Sequence, residues 1–495
     1  MIKPSISKNM LFAIIQFLVF LLGNFFLYRY INLKLGVEQL GVWSIVTSVS
    51  SLISAGLINF NASIVPLIAD AKTKKDNVTF DNLIFTGFSM SFIVSLPMII
   101  LIYFILKYGL IYFVNEDNLY QESIVLMPFI LLSIWISNIS SIIIGFIEGL
   151  NYTFVRSIIL IIGFLVFVIF NFFLLPKYGI VGAAYAQIIQ FLLICFLGLL
   201  FLFKKINLYS ILISNKVCLT TIKKILLPSM NYQMSSLVML FFDPVTKLAL
   251  SKFGGISTVG YYEMANKLAM QLRNPFLSIL QVTIPIFASF NAKLFIAEQV
   301  KLYKILFRFS FLGYSFAAMA LITLLPSVSK FLIGEVNTEF IFICITLIIG
   351  WLFNSCVNPA YYYNIAVQKI SLNTFCHIIM ALSNLILCFV IGTIDGNFTI
   401  LAPSFSLIIS TLFLLYKHEG SFYKIMLLFN LKDFIVVFMI VVESLFMLYL
   451  IKYKLNETKY IFFCVTVFGI ILVTGFKIYM REFISIFYSI RKIDK

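Results

Sequence analysis

Residues 253–288 read FGGISTVGYYEMANKLAMQLRNPFLSILQVTIPIFA, and two features of this stretch decide how the rest of the chain is read. The first is punctuation. Gly255 and Gly260 are followed 25 residues later by Pro285 and then Ala288, and the same Gly-x4-Gly and Pro-x-x-Ala pattern occurs 219 positions earlier at Gly36, Gly41, Pro66 and Ala69. Flanking residues agree in kind: Val42-Trp43 stands against Tyr261-Tyr262, and Asn24 against Asp243. The second feature is a stripe. Glu263, Lys267, Gln271, Asn274, Ser278 and Gln281 recur at intervals of three or four, which places them on one face of a helix. Arg273 lies just off that face, and Pro275 can bend the helix there.

Outward from this stretch the chain is apolar. Of its 495 residues 62% are hydrophobic and 11% charged, with a mean hydropathy of +1.05, where a soluble domain carries about 25% charge. Too few polar residues remain to cover a water-facing surface, so lipid is the solvent. A spanning helix needs about 20 apolar residues. Fourteen such spans are expected near 10–30, 40–67, 82–106, 123–147, 153–175, 180–203, 226–249, 258–287, 304–328, 339–366, 370–392, 397–416, 433–451 and 459–478. The spans at 40–67, 258–287 and 339–366 exceed the bilayer and must tilt, kink or protrude. The repeat unit holds an even number of spans, so its two copies share one orientation, a parallel duplication.

The expected organisation is an N-terminal six-helix bundle at 1–205, a cytoplasmic linker at 206–224, a C-terminal six-helix bundle at 225–418, and two extra helices with a basic cytoplasmic tail at 419–495. No gap between spans accommodates a soluble domain, so function resides in the membrane bundle. With a cytoplasmic N-terminus, 24 of the 36 basic residues fall in cytoplasmic segments and nine on the opposite side. That asymmetry follows the positive-inside rule and places both termini in the cytoplasm. It also accounts for the net charge of +16 by topology and anionic headgroup contacts, without nucleic acid. The first apolar segment lacks a small-x-small cleavage site and reads as a retained span. The seven cysteines form no CxxC pair and read as small core residues, with no metal site.

The remaining three basic residues, Lys247, Lys267 and Arg273, lie deep within spans. An ionisable group at membrane depth costs about 2.5 to 3.5 kcal/mol on insertion scales, so such groups face the bundle interior or water. The span before the stripe carries Ser229, Gln233, Ser236, Asp243 and Lys247 at the same spacing, and two such helices can line one aqueous cavity. Ser44, Ser48 and Ser51 form a weaker, uncharged version in the second span, so the halves are chemically unequal. Two readings of the charges stand side by side. Asp243–Lys247 and Glu263–Lys267 are four apart and can neutralise each other as ion pairs that lock the bundle. Alternatively, Lys267 and Arg273, with Gln271 and Asn274 beside them and Lys247, Arg29 and Arg156 as further candidates, offer donors to a diphosphate or an acidic sugar. Arg156, near a span end, can instead snorkel to headgroups. Asp243 or Glu263 could titrate in proton or sodium coupling. His377 reads as a packing residue, and Glu443 as an isolated acid outside the repeat.

The stretches KLGVEQLGVWSIVTSVSSLISAGL at 34–57 with VPLIA at 65–69, GFIEGLNYTFVRS at 145–157, LPKYGIVGAAYAQII at 175–189 and FDPVTKLALSKFGGISTVGYYEMANKL at 242–268 resemble a known family. They are similar to the polysaccharide flippases, O-antigen or Wzx type, of the multidrug/oligosaccharidyl-lipid/polysaccharide (MOP) exporter superfamily, over essentially the whole chain. The resemblance implies an all-α polytopic membrane protein with a V-shaped, MATE-like pair of six-helix bundles. It implies alternating access that carries undecaprenyl-diphosphate-linked oligosaccharide across the bacterial cytoplasmic (inner) membrane, with membrane lipids, a polysaccharide polymerase and chain-length machinery as partners. The first span lacks the acidic residue of the superfamily's drug-antiporter branch, which weakens a carry-over of that branch's cation site.

No phosphate-binding loop, zinc-protease motif or nucleophile elbow occurs, so no catalytic residue, cofactor or ATP-driven step is expected. Two alternatives remain. A MATE-like antiporter of small cationic molecules would favour a net acidic cavity, whereas the candidate residues here are balanced or basic. A membrane-embedded polysaccharide polymerase usually carries a large outer loop, and the outer loops here are short.

Overall fold

The computed structural model describes residues 6–55, 61–74, 76–109, 112, 117–207, 211, 221–222, 241–281, 283–284, 287, 290, 296–367, 369–421, 428–429 and 431–452. The described residues are almost entirely helical and contain no strand. This follows from the apolar sequence, because in lipid a helix satisfies each backbone N–H and C=O within its own segment.

The helices are α1 (Ile6–Leu35), α2 (Val37–Ala55), α3 (Asn61–Lys74), α4 (Asn77–Gly109), α5 (Asp117–Gly149), α6 (Thr153–Tyr178) and α7 (Ile180–Lys205). They continue with α8 (241–254), α9 (Ile256–Gln281), α10 (Ile296–Ile333), α11 (Thr338–Ala366), α12 (Ile370–Ile394), α13 (Leu401–Glu419) and α14 (Leu431–Lys452). Among the described residues nine helices are long and apolar enough to cross a membrane, which makes the chain a multi-pass membrane protein. The polar stripe keeps α9 out of those nine.

The duplication is written into the helix boundaries. Helix α2 begins at Val37 and α9 at Ile256, 219 positions apart. Gly36 and Gly255, the residues immediately before α2 and α9, adopt φ of 86° and 93°. Both therefore make the same left-handed break that a side chain would strain. The chain divides into two compact units, Met1–Pro244 and Val245–Lys495. In the first, α5 packs against α2, α3, α4 and α7, with Ile64, Ile68, Ile143, Phe146 and Ile147 at the core. In the second, α11 holds the equivalent central place, against α9, α10 and α13, and α14 lies on α10 and α11.

Several spans differ in detail from the reading of hydropathy. Within the stretch 40–67 the described residues are helical through Ala55 in α2 and again from Asn61 in α3, which runs on to Lys74, while 56–60 lie outside the described residues. The basic segment 293–308 is largely the start of α10, whose 38 residues extend about 57 Å. Helix α9 runs through Pro275 without a break in its assignment. The fourteenth span with the basic tail, most of the linker, and most of span 226–249 with Ser229, Gln233 and Ser236 lie outside the described residues. So do Pro285, Ala288 and the side chains of Ser51, Pro66 and Ser278. Of the cysteines, Cys344, Cys356, Cys376 and Cys388 are buried, as small core residues would be.

Candidate functional site

The break at Gly255 brings α8 and α9 together, and their intramembrane charges meet. Lys247 Nζ lies 2.6 Å from Glu263 Oε2, with both side chains almost fully buried. Lys267 Nζ approaches the other oxygen, Oε1, at 3.7 Å, and its side chain is half exposed. The acid at 263 is thus shared between a lysine on the neighbouring helix and one a turn away on its own. The four-residue pair Glu263–Lys267 that the spacing predicts forms at 3.7 Å, but the shorter contact is the one between helices. Asp243 is half-buried on α8, where its Oδ2 accepts from Ser48 Oγ of α2 at 3.3 Å.

Arg273 is placed differently. Six residues beyond Lys267, it is rotated by about 240° around the helix, away from the exposed line of Lys267, Asn274 and Gln281 and towards α11. Its Nη2 donates to Asn354 Oδ1 at 2.9 Å and to Asn358 Oδ1 at 3.3 Å. Its guanidinium lies 4.5 Å from the centre of the Trp351 ring. Tyr314 of α10 and Tyr361 and Tyr362 of α11 surround it at electrostatic range, as does His377 of α12, whose ring is edge-on to Tyr361 at 5.7 Å. Among the described residues no carboxylate forms an ion pair with Arg273. A permanent cation is therefore held in the second unit by neutral amides and aromatic rings. Such a setting favours an anion or an oxygen-rich ligand and disfavours a second cation.

The sequence-derived candidates consequently fall into separate groups. Lys247, Lys267 and Glu263 form one cluster, with Gln271 half-buried and Asn274 exposed further along α9. Arg273 belongs to another. Arg29 and Arg156 belong to the first unit: Arg29 is half-buried in α1, and Arg156 Nε pairs with Glu148 Oε2 at 3.3 Å beside the α5–α6 turn. Next to that turn Lys72 Nζ donates to the Leu150 carbonyl at 3.1 Å, and Lys72 and Lys205 both lie over the Tyr152 ring. Burial there lowers the Lys72 ammonium below the ordinary lysine value.

Sequence reading missed Trp351, Asn354 and Asn358, the partners that define the Arg273 site. Their signal was available: with Tyr361 they recur at intervals of three, four and three on an otherwise apolar helix, the same rule that revealed α9. They carry no charge, so a search for charge at membrane depth passed over them. The site also has no counterpart in the first unit. The positions 219 residues earlier than Tyr314, Trp351, Asn354 and Asn358 are Ser95, Leu132, Trp135 and Ile139.

Long apolar helices in two compact units, with helix starts repeated 219 positions apart at Val37 and Ile256, are features of the MOP exporter fold. The chain belongs to the polysaccharide biosynthesis protein family, whose model matches residues 5–291. It is similar to a structure described as lipid II flippase MurJ in an inward closed conformation, at 18% identity and a TM-score of 0.72, covering 96% of this chain and 100% of that one. An inward-facing multidrug resistance MATE family transporter of the MOP superfamily matches at 15% identity and a TM-score of 0.68, covering 81% and 94%. A MOP superfamily transporter from Pyrococcus furiosus, described as having a binding pocket of reverse polarity, matches at 15% identity and a TM-score of 0.56, covering 83% and 93%. No curated protein matches the sequence.

Proposed function

We propose that this protein is a flippase that carries polyprenyl-diphosphate-linked oligosaccharide, an O-antigen or capsule repeat unit on undecaprenyl diphosphate, across the bacterial cytoplasmic membrane by alternating access. The observation that carries the reading is Arg273, a half-buried cation in the membrane bundle fixed by Asn354, Asn358 and Trp351 with no carboxylate partner among the described residues. A permeant cation gains nothing there, whereas an anionic or hydroxyl-rich headgroup gains directed donors. The polysaccharide biosynthesis family and the likeness to a lipid II flippase point to the same class of cargo. The prenyl chain remains in lipid, and the headgroup passes along α9, where Lys267, Gln271 and Asn274 supply further polar contacts. Lys247 holds Glu263 in place, and Asp243 and Glu263 are the groups available to couple transport to an ion gradient. Arg29 and Arg156 act in the first unit, at the lipid headgroups or on the entering diphosphate. Both termini lie in the cytoplasm, and the lipid-linked unit passes from glycosyltransferases on that side to a polymerase and chain-length machinery on the other.

Replacing Lys267 and Arg273 together with alanine tests the reading in cells whose surface polysaccharide depends on this protein. Loss of surface polysaccharide with lipid-linked repeat units accumulating inside, at unchanged protein level, is the expected result. Wild-type export in the double variant would overturn it.

A further inference from the structure

Four buried polar groups around Arg273 have hydrogen-bonding capacity that the protein does not use. Arg273 makes two hydrogen bonds, both through Nη2, out of the five N–H donors of a guanidinium, and its buried Nε has no acceptor. Asn358 accepts from Arg273 through Oδ1, but its buried Nδ2 donates to nothing. Trp351 Nε1 and the Tyr314 hydroxyl are buried without a partner as well. Nearly every buried donor in a folded protein has an acceptor, so four orphans in one place require an explanation. All four can donate, and none of the described residues offers them a carboxylate. The group that fits is rich in acceptors and negatively charged.

The charge of that group is bounded by the site. Arg273 supplies one positive charge, and the side chains in its electrostatic reach are tyrosines and a histidine. Lys247 and Lys267 belong to the separate cluster around Glu263, and no member of that cluster contacts Arg273 among the described residues, so the charge at the site itself is the single guanidinium. A diphosphate carries a charge on each phosphate, and burying it against one guanidinium leaves a charge unpaired, which is costly in a bundle of low dielectric. A carboxylate carries one charge, and its planar pair of oxygens matches the guanidinium fork. The half-buried face of Tyr361, next to His377, provides an apolar and aromatic platform of the kind that packs on the C–H face of a pyranose ring.

We infer that the Arg273 site recognises the carboxylate of an acidic sugar, so that the cargo contains a uronic-acid-type residue and its diphosphate is held elsewhere. Resting on the flippase reading above, this inference names which part of the headgroup the site takes. Arg273 Nε, Asn358 Nδ2, Trp351 Nε1 and the Tyr314 hydroxyl bind the carboxylate and adjacent ring oxygens. Discrimination against a neutral sugar arises because the donors would be buried unpaired beside a hydroxymethyl group in its place.

Two measurements on the purified full-length protein separate this inference from the reading it rests on. The first is binding of methyl glucuronide, methyl glucoside and acetate, followed by tryptophan fluorescence in a background with Trp43 and Trp135 replaced by Phe, so that Trp351 is the reporter. Quenching by the glucuronide at concentrations at least about tenfold below those needed for the glucoside or acetate is expected, and lost in Arg273→Gln. Equal responses to all three, or none, overturn the inference. The second is flipping in proteoliposomes of two polyprenyl-diphosphate disaccharides that differ only in ending with glucuronic acid or glucose. The acidic lipid is expected to move about tenfold faster, with the ratio falling towards unity in Arg273→Gln and to an intermediate value in Arg273→Lys, both checked for wild-type thermal unfolding. Equal rates in the wild type overturn the carboxylate inference and leave the flippase reading standing. Glucuronide binding without movement of either lipid does the reverse.

Discussion

Lys247 and Glu263 stand eight positions before and eight after Gly255, and their side chains meet at 2.6 Å across the break between α8 and α9. Each helix descends about 12 Å from the glycine to reach the contact. The pair is almost completely buried, so water screens it little. In the first unit the equivalent positions flanking Gly36 are Tyr28 and Ser44, which carry no charge. The two clasp positions are thus charged in one repeat and uncharged in the other.

The clasp makes a stability prediction. Lys247→Met removes the closer of the two lysines from Glu263, leaving the half-exposed Lys267 at 3.7 Å, and breaking a buried pair from one side costs about 3–5 kcal/mol. Lys247→Met combined with Glu263→Met removes both charges and should recover most of that loss, since apolar replacements of buried pairs are often neutral. Lys267→Ala should cost less than about 1 kcal/mol, as half-exposed pairs do. Thermal unfolding of the three variants in one detergent gives the ranking. A double variant as unstable as Lys247→Met would show that the charges do more than pair with each other.

The duplication makes a second. Gly36 and Gly255 have positive φ and open space where a Cβ would be, so alanine at either meets backbone strain and no clash. Each substitution should cost about 1–2 kcal/mol, and the two costs should be similar. Gly182→Ala offers the contrast: its Cβ would fall 2.5 Å from the Leu174 carbonyl oxygen, so helices α6 and α7 must separate. It should be the most destabilising of the three. Equal losses at all three sites, read by unfolding midpoint, would contradict this distinction between conformational and steric glycines.

The Gly255 region also shows how far the sequence could be read. Two glycines in register at a spacing of 219 were visible as letters, and the structure turns them into matched helix starts at Val37 and Ile256. Periodicity exposed the stripe on α9 because its members are polar in an apolar chain. The site partners were harder. Arg273 lies outside the stripe by about a third of a turn, which in a helix is enough to send its side chain to a different neighbour, α11. Which neighbour that is depends on packing between helices about 80 residues apart in sequence, and one-dimensional spacing does not carry it.

Neutral amides as anchors of Arg273 lead to a third prediction. Asn354→Leu and Asn358→Leu keep the side-chain size but remove the oxygens that receive Nη2, so the guanidinium loses its orientation while its charge remains. Each should lower export of surface polysaccharide about tenfold to a hundredfold, the range of one hydrogen bond to a charged group, at wild-type protein level. Trp351→Phe retains the ring face under the guanidinium but not Nε1, and should have a smaller effect than either. An asparagine variant with full export would mean that these amides do not position Arg273 for transport.

Asp243 gives the last. Its Oδ2 accepts from Ser48 Oγ of α2 at 3.3 Å. A half-buried carboxylate at a helix contact can exchange a proton or bind sodium, and its charge then changes the cost of exposing that contact to lipid or water. Asp243→Asn retains the shape and the acceptor oxygen for Ser48 but cannot gain or lose a proton. If this residue couples transport to an ion gradient, proteoliposomes with the asparagine variant should lose the increment in flipping that an imposed proton or sodium gradient produces. Ser48→Ala removes only a neutral donor worth about 1 kcal/mol and should retain most of that increment. A gradient response that persists in Asp243→Asn and disappears in Glu263→Gln would move the coupling site from α8 to the shared acid on α9, where Lys247 and Lys267 already compete for it.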